Sequence, residues 1–167
     1  MWLALSGRFR ARWSQDIHEE WKRNLLLNRK DLTREQLDRT SKLMDYAVAD
    51  SLVEGYQELI EGLALPDPND RHVLAAAIRC NASVIVTFNQ RDFPVSTLAI
   101  YGMETQHPDE FVDNLLDLDT AAVVNAAQQQ RSQLKNPAIS VDRYLEILLR
   151  QGLVKTTKTL AKYRSLL

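Results

Sequence analysis

Cysteine is almost missing from this sequence: Cys80 is the single one among 167 residues. A lone thiol excludes an internal disulfide and any zinc centre built from clustered cysteines. Near the end of an apolar helical stretch, it reads as a reduced structural group. Proline and glycine number five each, and no stretch has the look of a low-complexity linker or an internal repeat. There is no surplus of either charge. The formal net charge is −1, so the overall field does not favour nucleic acid, and any RNA must be met by a local basic patch. No apolar run approaches the ~18 residues that would span a membrane. Met1–Leu5 is too short for a signal peptide and lacks a basic start. A phosphate loop of the form G-x-x-x-x-G-K-[ST] is also missing, which counts against nucleotide binding.

What is present is ordinary in bulk and specific in one place. Hydrophobic content of 45% and charged content of 26% suit a globular chain long enough to bury a core. The specific place is Leu65–Pro94, which divides into an acidic turn, a helix, an apolar strand and a second polar turn. Asp67 is the expected N-cap, because Pro68 suits the first helical position where its missing N–H has no partner anyway. Val73, Leu74, Ala77 and Ile78 form a helical stripe that Asn81 stops. Val84–Phe88 is apolar on both faces, as a strand inside a parallel sheet is. Asn89 and Asp92 then follow its carboxyl end, the edge where open α/β sheets bind ligands. Acids at a helix start and at a strand exit can converge on one cation. The same acids also suit plainer roles: Asp67 and Asp70 complement a helix macrodipole, and Asn89 and Asp92 are turn formers.

Around this stretch the expected elements alternate. A strand is read in Phe9–Trp13, which would set Arg8, Arg10 and Arg12 on one face. Ser14 caps a helix to Asn28, with Ile17, Trp21 and Leu25 as its buried ridge and Glu20 on the margin; His18 is expected to be exposed. Thr33 and Gln36 form a capping box for a helix to about Ala49, with Leu37, Leu43, Met44 and Ala47 inward. Short strands are expected near residues 51–54 and 100–105. Pro108 opens a helix capped by His107. From Leu118 the chain is helical: a run from Asp119 to Leu134, a break at Lys135–Pro137, a run from Ser140 closed by Gly152, and a last one carrying Lys155, Lys158, Lys162 and Arg164.

Several of these features together resemble the PIN domain, the metal-dependent ribonuclease fold of VapC-type toxins. The resemblance rests on Asp70 followed by His72-Val73-Leu74-Ala75-Ala76-Ala77, on VIVTFNQRDFP at Val84–Pro94, and on Glu20 early in a helix. Tyr101-Gly102-Met103 and His107–Phe111 extend it, so that it covers about Leu3 to Leu116. It implies a three-layer α/β/α fold with a short, mostly parallel sheet: a PIN-like domain over 1–116 and a helical extension over 117–167. It also implies an Mg2+- or Mn2+-dependent endoribonuclease, cytoplasmic, acting on RNA and paired with an antitoxin protein; the lack of the family's central first strand, which leaves apolar edges to cover, adds the expectation of a homodimer or larger assembly.

Hard divalent cations take carboxylate oxygens, and the expected ligands are Glu20, Asp70 and Asp92, with Asn89 as a neutral oxygen and Asp67 as a fourth acid. Arg10, Arg12 and Arg91 are the expected RNA contacts, and His72 has at most a lesser role, since two-metal hydrolysis needs no histidine. One departure stands out. PIN domains open with a hydrophobic strand ending in an aspartate, and nothing here corresponds. The expectation is therefore weak Mg2+ binding and poor cleavage, or none, from these residues alone. Two other readings stay open: a degenerate PIN scaffold that binds protein or RNA without cleaving it, and an unrelated α/β phosphoesterase.

Overall fold

The computed structural model describes residues 1–135 and 137–167; Asn136, part of the expected break at Lys135–Pro137, lies outside the described residues. The chain forms two compact units. One comprises Arg10–Ile85 and Asn89–Thr105, the other Met1–Phe9, Val86–Phe88 and Gln106–Leu167.

The first unit mixes short strands with helices. Strand β1 is Trp13–Ser14, and it pairs in parallel with β2, Leu52–Val53, in the register Trp13↔Leu52 and Ser14↔Val53. The strand expected over Phe9–Trp13 thus begins only at its last residue, and the three arginines do not share a strand face. Helix α1, Gln15–Asn28, starts where the Ser14 hydroxyl accepts the N–H of Ile17 at 3.3 Å. Helix α2, Arg34–Ala47, starts at the expected capping box, Thr33 with Gln36. After a short α3, Gln57–Ile60, comes the acidic turn: Asp67 accepts the N–H of Asn69 at 2.8 Å over a 3-10 turn, Pro68–Asp70, that leads into α4, Arg71–Arg79. Asn81 ends this segment at φ 52°, the left-handed conformation that asparagine tolerates.

Strand β3, Val84–Val86, then reaches a second 3-10 turn, Gln90–Asp92. A short helix α5, Val95–Ala99, precedes β4, Glu104–Gln106, which overlaps the end of the strand expected near residues 100–105. Strands β3 and β4 run in the same direction, since the Glu104 N–H donates to Ser83 and the Thr87 N–H to Gln106, both at 3.0 Å. The α/β class with short parallel strands is as expected, but the strands make two pairs, β1–β2 and β3–β4, in place of one four-stranded sheet. The core of this unit gathers Val53, Tyr56, Leu74, Ala75, Ile85, Phe93 and Leu98.

The inner face of α1 differs from the expected ridge by one residue. His18 is fully buried and Lys22 nearly so, whereas Leu25 is exposed. The reason is polar. His18 Nε2 lies 2.9 Å from Asp45 Oδ1, its Nδ1 accepts the Trp21 indole N–H at 3.0 Å, and the Trp13 indole donates to the same Asp45 oxygen at 2.6 Å. With Nδ1 occupied as an acceptor, Nε2 carries the hydrogen that Asp45 receives. Burial alone would raise the Asp45 carboxyl, but the bonds from His18 and Trp13 hold it below its ordinary range. Lys22 donates to Asp38 at 2.8 Å and to Glu19 at 3.3 Å. On α2, Leu37 and Ser41 are buried, and Leu43, expected to face inward, is exposed.

The second unit is helical: α6 Pro108–Leu118, α7 Thr120–Gln133, α8 Val141–Arg150 and α9 Val154–Leu160, followed by a 3-10 stretch Ala161–Leu166. Three caps stand where expected. His107 Nδ1 accepts the Asp109 N–H, Asp119 accepts from Ala122, and Ser140 from Arg143. A fourth could not be read from neighbouring residues: α9 is capped from α6, where Asp109 accepts the N–H groups of Lys155 and Thr156, each at 2.9 Å. Burial would raise the Asp109 carboxyl, but these two donors bring it below its usual range. Leu115, Leu116, Val123, Val124, Tyr144, Leu148 and Leu160 form the core. No helix among the described residues is long and apolar enough to cross a membrane.

Both polar devices are testable by denaturation. His18→Ala strands the Trp21 indole and removes one of the two donors to Asp45 Oδ1, and is expected to lower stability by about 2–3 kcal/mol, a fall of roughly 5–10 °C in Tm for a chain of this size. Asp109→Ala, which leaves the start of α9 uncapped, is expected to cost about 1–3 kcal/mol near neutral pH. Since the folded carboxyl sits below its unfolded range, that stability is present above the unfolded pKa and is lost as acid protonates the folded group. The gap between wild type and Asp109→Ala therefore closes on acidification.

Candidate metal centre

The candidate acids lie on three segments of the first unit. Asp70 ends the 3-10 turn before α4, Asp92 ends the turn after β3, Glu20 stands on the second turn of α1, and Asp67 caps the turn that holds Asp70. Pro68 and the Asp67 cap fix the backbone that presents Asp70, and the strand exit fixes Asp92.

The electrostatics show which of these meet. Asp70 is half-buried, and its carboxyl is pushed up from an ordinary 3.8 to about 6. Burial is the largest cause; next comes Asp92, through its charge and a direct hydrogen bond, and then the charges of Asp67 and Glu20. Asp70 and Asp92 are thus in contact, and the other two acids stand within electrostatic reach. Asn89 donates its side-chain N–H to the second carboxylate, Asp92. Glu20 Oε2 lies 3.5 Å from His72 Nε2, a contact that sequence reasoning missed. Its only signal was a histidine two residues beyond the acid at a helix start. Glu19, by contrast, faces Arg34 and Lys22, and its carboxyl is drawn down chiefly by Arg34.

Among the described residues no three acid, histidine or cysteine side chains are grouped tightly enough to hold an ion as they stand. The arrangement is a contacting pair with two outlying acids. Its donors are nonetheless the right kind. All are hard oxygens, and the charge repulsion expressed at Asp70 is what a divalent cation would relieve. Arg10, Arg12 and Arg91 are exposed.

A family model described as "PIN domain" matches residues 1–91, more than half of the chain. The chain belongs to the PIN-domain family. A second model, described as "VapC50 C-terminal domain", matches residues 108–162, which hold α6 through α9. The chain is also 47% identical over 64 residues to the "Putative ribonuclease VapC50" of Mycobacterium tuberculosis (strain ATCC 25618 / H37Rv). That match covers 38% of this chain and 37% of the relative's length. No solved structure matches the chain significantly. The likeness within the PIN-domain family is thus to a VapC-like member. PIN-domain nucleases generally use divalent metal ions.

The raised Asp70 carboxyl has a consequence for stability. Between pH 3.8 and about 6 the folded state holds a proton that the unfolded chain gives up, so stability declines as pH rises through that window. Asp70→Asn, neutral at every pH, is expected to raise metal-free stability at pH 7.5 by about 1–2 kcal/mol, allowing for partial exposure, and to leave it nearly unchanged at pH 3.5. Chemical denaturation in a chelator at the two pH values checks this.

Proposed function

We propose that this protein is a divalent-metal-dependent endoribonuclease of the VapC-like PIN toxin type, with Mg2+ or Mn2+ held by Glu20, Asp70, Asp92 and Asn89. The observation that carries the reading is the crowding of Asp70 by Asp92, Asp67 and Glu20, a half-buried concentration of negative charge that packing does not require. Structural acids are normally paired with cations, as Glu19 and Asp38 are here with Arg34. Among the described residues, the basic side chain paired with this cluster is His72, beside Glu20.

When bound, a divalent cation acidifies water and offsets the charge that builds on a phosphodiester undergoing hydrolysis. The side chains supply what precedes that chemistry. Asp70 and Asp92 converge from two turns whose backbones are set by Pro68 and by the end of β3. Ionisation of Asp70 above about pH 6 prepares the pair for a cation, so metal binding is expected to strengthen as pH rises through that value. Arg10, Arg12 and Arg91 supply exposed guanidinium groups for RNA phosphates. The PIN-like part is taken to span 1–116 and the helical extension 117–167. A protein antitoxin is the proposed partner. A homodimer is the proposed assembly, since each strand pair is two strands wide and offers an edge for another strand.

A second reading, a PIN scaffold that binds without cleaving, is favoured by the looseness of the acid group. RNA hydrolysis separates the two. With Mg2+ or Mn2+, slow cleavage is expected, stopped by a chelator and reduced at least about 100-fold by Asp70→Asn, since such ligands act as a unit. Supplying a short apolar segment that ends in aspartate, fused ahead of Met1, is expected to raise the rate by orders of magnitude. RNA binding without hydrolysis in every form, with Asp70→Asn indistinguishable, would assign the protein to the second reading.

A further inference from the structure

Resting on the reading of Glu20 as a metal ligand, we propose that His72 is a positioning residue: its imidazole holds one oxygen of Glu20 and turns the other toward the cation shared with Asp70 and Asp92. Three observations carry this. His72 lies in the first turn of α4, two residues from Asp70, and is the point where that helix meets a ligand borne on α1. Its Nε2 stands 3.5 Å from Glu20 Oε2, and no other side chain is paired with Glu20 among the described residues. Its Nδ1 is buried without a hydrogen-bond partner.

The two nitrogens therefore have different surroundings. Nε2 faces a carboxylate, an acceptor only, so the hydrogen of the neutral ring belongs there. Placing it on Nδ1 would leave a buried N–H unbonded and set a lone pair against the Glu20 oxygens, losing on both sides. The ring is mostly buried, whereas the Glu20 carboxylate is more than a third exposed. The better-anchored partner thus fixes the looser one. At 3.5 Å the contact is longer than a good hydrogen bond, as expected of a carboxylate that tightens on its support only when a cation draws the acids in. Hydrogen-bonded support of ligating carboxylates is a common need, and its loss typically weakens metal affinity 10–100-fold.

The test is direct Mn2+ binding to the full chain by titration calorimetry, with thermal melting as a check on folding. Wild type, His72→Ala, His72→Gln, Glu20→Gln, Asp70→Asn and the double variant Glu20→Gln/His72→Ala are compared. His72→Ala is expected to weaken Mn2+ binding about tenfold, and His72→Gln, whose amide can still donate to Glu20, to recover most of it. In the Glu20→Gln background, His72→Ala is expected to change the affinity less than twofold, because nothing is left to position. A structural role alone would weaken both backgrounds equally and would overturn the proposal. So would wild-type affinity in His72→Ala while Glu20→Gln and Asp70→Asn remain impaired, which leaves the acid site standing. If wild type binds no Mn2+, or the acid variants bind as wild type does, the site itself is wrong and the proposal falls with it.

Discussion

Negative charge concentrated on a half-buried carboxylate is the constraint that organises the first unit. Burial first, and then the charges of Asp92, Asp67 and Glu20, push the Asp70 carboxyl up to about 6. An isolated chain of this size has a stability of only ~5–15 kcal/mol, so a repulsive cluster is tolerated only where other contacts hold its backbone in place. Here the backbone is held by the Asp67 cap, by Pro68, and by the buried stretch Leu74–Ala77 of α4. These are local, inexpensive devices. They let the turn carry an unfavourable group without the helix behind it giving way.

Much of this was legible in the residues, for a physical reason. Caps, proline at a first helical turn, and acids beside an apolar strand are short-range signals whose partners lie within three or four positions. The Asp67 turn, the Thr33–Gln36 box, the Asp119 and Ser140 caps and the left-handed Asn81 all belong to this class. What could not be read depends on partners far along the chain. His18 reads as a surface residue, because the amphipathic pattern of α1 points to Ile17, Trp21 and Leu25. Its burial is made favourable by Asp45, 27 residues away, together with the Trp21 indole. The same holds for Lys22 and Asp38, 16 positions apart. Hydrophobic periodicity assumes that apolar groups occupy the inner face, and it fails where a satisfied polar network occupies that face instead.

The sheet was legible in its parts and misread as a whole. Four strand regions were expected and four are present among the described residues, each only two or three residues long. Strand propensity locates an extended segment, but which strands pair is settled by hydrogen-bond partners elsewhere, and two separate pairs carry the same local signal as one sheet. The site shares this division. The identities of its acids follow from motif and position, whereas the contact between Asp70 and Asp92, and that between His72 and Glu20, belong to the folded geometry alone.

The cap that Asp109 lends to α9 binds residues 46 and 47 positions apart through two backbone N–H groups. During synthesis the aspartate emerges long before the amides it needs. Until Lys155 and Thr156 arrive, any packing that covers α6 buries an anion without donors, a state the unfinished unit has reason to avoid. The helical unit is thereby given a temporal order: α7 and α8 can form as they are made, but α6 cannot settle into its final surroundings until the start of α9 exists. A late-closing contact of this kind guards against premature collapse, and it makes the length of chain between the two helices a matter of timing as well as of shape.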